Sequence, residues 1–250
     1  MIEVTDHGSV RELRLNRPPA NAFNPDLARE LTEQVRLAPS AGAEAIVISG
    51  TPGMFTGGLD VPELLTLGRV DIHAFWEAFY EMLNEVAACD VPVVAAITGH
   101  SPAAGTVLVA FCDHRVMAEG RFKIGMNEVQ VGLSVPPILQ YAMKRLTGAR
   151  RGDALLIAGA LISPSEALEV GLVDQVVSED EVVATAISWA EKTIALPPAA
   201  MRETRRLARA DLVAQFAQLS GADYDEMTDT WFSDETQTTM RALVERLAAR

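Results

Sequence analysis

Hydrophobic positions change their period several times along the chain, and each change marks an element. Val10, Leu13 and Leu15 predict a short strand over 10–15. A Pro-Pro-Ala-Asn-Ala turn follows, and Leu27, Leu31 and Val35 then recur at helical spacing over 25–37. Residues 45–49 read as a buried strand, 51–58 as a loop by their glycine and proline content, and 72–88 as an aromatic-rich amphipathic helix. A β-branched run over 91–98, a small-residue stretch over 99–105, an apolar helical run over 106–111 and a strand over 114–117 repeat that order. Strand, glycine loop, helix, strand thus recurs, which predicts α/β layers built from repeated ββα-like units. From Pro164 onward the pattern is mostly helical. Charges of both signs interleave over 201–209 and 235–250, as expected of amphipathic helices that pack on a neighbouring subunit or present a solvated face.

Composition narrows what such a fold does. The 250 residues are 49% hydrophobic and 22% charged, enough apolar material for a core without disulfide or metal staples. A net charge of −13 disfavours nucleic acid and anionic membrane as partners, while leaving room for an anionic small molecule at a locally basic cleft mouth. The two cysteines, Cys89 and Cys112, stand in apolar contexts without metal or redox spacing, which fits a reducing compartment. With no basic-then-apolar leader and no long uncharged run, the expected location is cytoplasmic.

Three segments are candidates for chemistry. The loops 55–60 (Phe-Thr-Gly-Gly-Leu-Asp) and 99–105 (Gly-His-Ser-Pro-Ala-Ala-Gly) each follow a predicted strand. Small residues there let a ligand approach backbone N–H groups that suit an anion or a developing oxyanion, although tight turns need small residues too. The third segment, 125–136, embeds one carboxylate, Glu128, among largely apolar residues. A carboxylate in an apolar pocket gains a raised pKa and becomes a base near neutrality; the alternative is a cap or a partner for arginine. The four histidines are scattered, and zinc-protease, serine-hydrolase and phosphate-loop motifs are missing.

In this order and separation, the three segments resemble the crotonase (enoyl-CoA hydratase/isomerase) superfamily. Asn16-Arg17-Pro18-Pro19-Ala20-Asn21-Ala22, the run from Ile162 to Leu168 and the run from Gly171 to Val177 extend the likeness over nearly the whole chain. The resemblance implies a spiral of ββα units over 1–195 and a C-terminal helical oligomerisation region over 196–250, in a homotrimer or dimer of trimers. It also implies that the backbone N–H groups of Leu59 and Ala104 form an oxyanion hole for an acyl-CoA thioester and that Glu128 is the base. Arg17, Ala20, Gly57, Gly58, Asp60, Ala103, Gly105 and Asn127 become candidate CoA- or substrate-binding positions, with Arg17 the candidate cation for the phosphates. Asp60 reads first as a loop anchor, and Asn127 as a residue that orients Glu128 or turns the chain. Phe75, Trp76, Phe79 and Tyr80 read as an acyl-tunnel wall or as plain core.

Where hydratases of this family place a first glutamate, this chain has Val107. The likeness is therefore greatest to the mitochondrial-type Δ3,Δ2-enoyl-CoA isomerase branch, in which one base suffices. That implies a 3-enoyl-CoA to 2-enoyl-CoA isomerase of fatty-acid metabolism, with no metal or further cofactor, CoA being part of the substrate. An enoyl-CoA hydratase and a non-catalytic acyl-CoA-binding protein are the alternatives.

Overall fold

The computed structural model describes residues 1–248. The strands are β1 (Ile2–His7), β2 (Val10–Leu15), β3 (Ala45–Ser49), β4 (Gly53–Met54), β5 (Val93–Ile97), β6 (Gly99–Pro102), β7 (His114–Ala118), β8 (Ile124–Gly125) and β9 (Gln175–Val177). The helices of the first half are α1 (Pro25–Ser40), α2 (Val61–Leu64), α3 (Arg69–Ala88) and α4 (Ala104–Ala110). Those of the second are α5 (Pro137–Thr147), α6 (Ala149–Ala158), α7 (Pro164–Glu169), α8 (Val182–Ile194), α9 (Pro198–Ala208), α10 (Ala210–Phe216), α11 (Gly221–Trp231) and α12 (Asp234–Ala248).

The six-stranded sheet runs β1-β2-β3-β5-β7-β9 and a smaller sheet runs β4-β6-β8. Each successive strand pair, β3 with β4, β5 with β6 and β7 with β8, sends its first member to the large sheet and its second to the small one before a helix returns the chain. The expected ββα repetition is thus a spiral in which every turn extends both sheets in parallel.

Central strands are buried on both faces, so they are apolar throughout rather than alternating. Ile46 and Ile48 of β3 face the main core with Leu27, Phe75 and Leu83 of the helices, while Ala45 and Val47 face the second layer with Val182, Ala186 and Ala190 of α8. Helix starts follow local chemistry. The Asn24 side chain accepts the Leu27 N–H at 2.9 Å with Pro25 next to it, and Ser163 with Glu166 forms a capping box at α7.

Predicted spans match closely at β2, β3, β5, β7 and α3. The short strands β4, β8 and β9 were not predicted, nor was β1, an edge strand with mostly exposed residues whose Asp6 pairs with Arg11 across the hairpin, so no apolar alternation announces it. The 99–105 stretch, read as loop, holds β6, whose short length and small residues hide its strand character. Among the described residues no helix is long and apolar enough to cross a membrane.

Within the small sheet, β4 and β6 approach closely where Gly53 pairs with Gly99. A Cβ on Gly99 would overlap the backbone of Gly53 and Met54. Gly99→Ala should therefore destabilise the protein by about 3 kcal/mol, read as a lowered midpoint in urea, because only a backbone shift relieves the overlap; a loss under about 1 kcal/mol would contradict this packing.

Candidate active site

The two glycine loops meet. Gly58 lies at φ 96°, and a Cβ placed on it would stand 3.2 Å from the Ala103 Cβ and 3.8 Å from the Ala104 nitrogen. The N–H of Leu59 donates to no group among the described residues, while its neighbours are bound: Gly57 N–H to Ala20 O at 2.7 Å, Gly58 N–H to Thr56 Oγ1 at 3.1 Å and Asp60 N–H to Phe23 O at 2.8 Å. Ala104 is the first residue of α4, where an N–H has no intrahelical acceptor. The loops thus bring two free backbone donors to one place, the geometry an oxyanion requires.

The turn is held under strain. Ala103 has φ 48° and ψ −120°, a left-handed conformation unusual for a residue with a Cβ. Its N–H donates to Gly125 O at 2.9 Å, and the Gly125 N–H in turn donates to Thr106 Oγ1 at 2.7 Å. Gly105 must be small, since a Cβ there would lie 2.6 Å from Thr56 Cγ2 and 2.7 Å from Ser101 Oγ.

Three residues beyond Gly125, Glu128 begins a short 3-10 turn over 128–131. As a whole it is half-buried because it borders a cavity, but its Oε2 is shut off from solvent and has no hydrogen-bond partner among the described residues. Burial pushes its carboxyl up to about 7, partly opposed by a backbone hydrogen bond. The cavity, about 630 Å³, is lined by Leu59, Ala103, Ala104, Gly57, Asn127 and Glu128 together with Val107. Val107 is 1% exposed, so the wall of α4 one turn beyond Ala104 is hydrocarbon.

The remaining expected residues stand behind this surface. Ala20 supplies the carbonyl that holds Gly57, and Gly58 and Gly105 permit the close approach of the loops. Asp60 caps α2 by accepting the Glu63 N–H at 3.0 Å. Arg17 does not border the cavity: its guanidinium donates to Asp60 Oδ2 at 2.6 Å, Ala22 O at 3.1 Å and Glu63 Oε2 at 2.7 Å. With three of its five N–H donors on these groups, Arg17 ties the segment before α1 to the start of α2. Asn127 borders the cavity with a buried, unpartnered Oδ1, so no hydrogen bond from it orients Glu128.

Other lining residues went unnoticed in the sequence. Lys123, exposed and without an ion pair among the described residues, borders the cavity, as do Met227 of α11 and Met240 and Leu243 of α12. Of the aromatic group, Trp76, Phe79 and Tyr80 line the cavity while also packing in the core, and Phe75 packs in the core alone. The C-terminal helices α11 and α12 border this site: Thr236 Oγ1 donates to Gly132 O at 2.7 Å, tying α12 to the Glu128 segment. Their amphipathic pattern was legible, but not which surface the apolar face covers. Among the described residues no group of three or more His, Cys, Asp or Glu side chains is placed to hold a metal ion.

Comparison with known proteins bears on the family and the fold. The family model described as enoyl-CoA hydratase/isomerase matches residues 5–250. The chain belongs to the enoyl-CoA hydratase/isomerase family. Among family members, it is 29% identical to mitochondrial enoyl-CoA delta isomerase 1 of Homo sapiens, over 99% of this chain and 83% of that protein. It is 32% identical to a probable enoyl-CoA hydratase of Mycobacterium tuberculosis over 76% of this chain and 72% of that protein. The crystal structure of human mitochondrial delta3-delta2-enoyl-CoA isomerase superposes with a TM-score of 0.94 at 28% identity, covering 99% of this chain and 98% of that one. The crotonase fold is therefore established for this chain.

The strain at Ala103 can be measured. Ala103→Gly removes the Cβ that disfavours φ 48° and should leave stability equal or raise it by up to about 1 kcal/mol in chemical denaturation, against the usual small loss for alanine to glycine; a loss of about 1 kcal/mol or more would show that the turn is not strained.

Proposed function

We propose that this protein is a Δ3,Δ2-enoyl-CoA isomerase with Glu128 as its single acid–base group. The observation that carries the reading is the pairing of a desolvated carboxylate with two free backbone donors across a cavity whose α4 wall is Val107. Ionised Glu128 takes a proton from C2 of a 3-enoyl thioester. The electron pair moves into the conjugated system, and the dienolate oxygen is held by the N–H groups of Leu59 and Ala104. Returning the same proton to C4 leaves the 2-enoyl thioester, so no atom is gained or lost. Each donor of this kind contributes about 3–4 kcal/mol to the transition state when it is preorganised. A carboxylate base beside an oxyanion site is also the arrangement that moves a proton in ketosteroid isomerase.

Hydration would demand that a water be clamped and activated, and an apolar Val107 supplies no second carboxylate for that. The similarity to mitochondrial enoyl-CoA delta isomerase over nearly the full chain supports the same choice. One proton moved by one base requires no metal or further cofactor, and CoA serves as the substrate's handle. Lys123, at the cavity wall, is the cation this reading assigns to the anionic end of CoA. The assembly it expects is a homotrimer or a dimer of trimers.

With 3-enoyl-CoA as substrate, Glu128→Gln should lower kcat/KM by about a thousandfold while the protein stays folded, and 2-enoyl-CoA should gain no water with either protein. A variant as active as the wild type, or formation of 3-hydroxyacyl-CoA, sinks the single-base isomerase.

The pH dependence has two opposite signs. Because the base must be ionised, the rate should rise with pH and level off above about 7. Stability moves the other way: a carboxyl raised from 4.5 to about 7 in the folded state favours folding below 4.5, and that contribution is lost as pH rises to about 7. Glu128→Gln should thus match the wild type near pH 4.5 and exceed it by about 3 kcal/mol above pH 7 in chemical denaturation; parallel stability curves would show that Glu128 is not desolvated.

A further inference from the structure

The cavity wall formed by α3 and the C-terminal helices is largely apolar, from Trp76, Phe79, Met227, Met240 and Leu243, with Asp223, Glu226 and Thr230 of α11 also bordering the cavity. Tyr80 lies on the same wall, is 2% exposed, and makes no side-chain hydrogen bond among the described residues. Its ring is fixed edge-on against Phe79, 6.1 Å between centroids, and against Tyr224 at 6.0 Å. Rotation cannot carry the phenol elsewhere. The indole nitrogens of Trp76 and Trp231 are also unpartnered, but protein atoms seal them off completely; the Tyr80 hydroxyl is not among the sealed atoms.

A hydroxyl in this position is costly for a plain alkyl ligand. An alkyl chain filling the cavity strips water from the phenol and offers no acceptor in return, whereas phenylalanine would present the same ring without that loss. Nor is the phenol spent on the base, since Tyr80 and Glu128 form no hydrogen bond. What the hydroxyl lacks is an acceptor carried by the ligand.

Resting on the isomerase reading for the identity of the site, we infer that Tyr80 is a specificity residue that donates a hydrogen bond to an oxygen on the acyl chain. The substrate class is then an oxygenated enoyl thioester, with a hydroxyl, keto or ring oxygen beyond the reacting carbons, rather than an unsubstituted fatty acyl chain. Sites built around a hydrogen bond discriminate strongly against ligands that lack it, because the buried group is left unpaired. The apolar side chains around Tyr80 would hold the carbon skeleton in register so that one oxygen position is preferred.

Binding tests this separately from turnover. Wild type and Tyr80→Phe are titrated calorimetrically with octanoyl-CoA and with its 5-oxo, 6-oxo and 7-oxo derivatives, none of which can isomerise. The expected result is that, for at least one oxo position, the ratio of oxo to alkyl affinity is about tenfold or more higher in the wild type than in Tyr80→Phe. The proposal is overturned if that ratio is the same in both proteins at every position, as it would be if Tyr80 merely bound a water or packed as core. Failure of the isomerase reading looks different: 3-enoyl-CoA would not turn over, yet the Tyr80-dependent oxygen preference would remain.

Discussion

Gly125 is the point on which the site depends. Its carbonyl accepts the N–H of Ala103 and its own N–H donates to Thr106, so one residue joins the turn at Ala103, the first turns of α4 and the segment that carries Glu128. Its φ of 153° is open to glycine, and a Cβ there would overlap the carbonyl of Ala160. The placement of the Glu128 segment relative to the turn at Ala103 and Ala104 is therefore set by backbone hydrogen bonds between the segments after β6 and β8. That is the rigidity a preorganised site needs, since the dipoles must already point where charge will develop.

The spiral explains why backbone groups from distant segments can meet at all. Every turn adds a strand to each sheet, so the loops after β4 and β6 lie side by side although more than forty residues separate them in sequence. Thr56 and Ser101 pack against the glycine at 105, and Ala20 holds Gly57 from the other side. Arg209 performs a similar task for the helical layer. Buried and paired with Asp113, it donates to the carbonyls of Ala87, Phe111 and Cys112 at the ends of α3 and α4, which anchors the C-terminal helices over the cavity. Burial alone would lower the pKa of this guanidinium, and the Asp113 carboxylate opposes that fall.

How much of this was legible in the chain follows from which contacts are local. Strands buried on both faces declare themselves as apolar runs, and so β3, β5 and β7 could be read directly. Edge strand β1 could not, because its exposed faces carry charge and its pairing is decided by β2. Glu128 stood out as a lone carboxylate in an apolar stretch, and burial gives it the raised pKa that the pattern suggested. The convergence of Leu59 and Ala104 came from family resemblance, since free N–H groups leave no mark on residue identity. The surroundings of Arg17 were hidden for a related reason: its carboxylate partners, Asp60 and Glu63, lie 43 and 46 residues away in sequence.

The same distinction bears on what makes this member of the family different. Backbone donors and a base are shared machinery whose side-chain requirements are slight, so the reaction they support is chosen by what surrounds them. Val107 removes a polar clamp on one side of the cavity, and Tyr80 adds a donor on another. A helix facing a helix across the acyl region, α3 against α11 and α12, can vary these side chains without moving Gly125 or the turn at Ala103. The candidate donors and base thus sit on segments that follow the strands of the small sheet, whereas the Tyr80 hydroxyl inferred to discriminate between acyl chains sits on the helical cover.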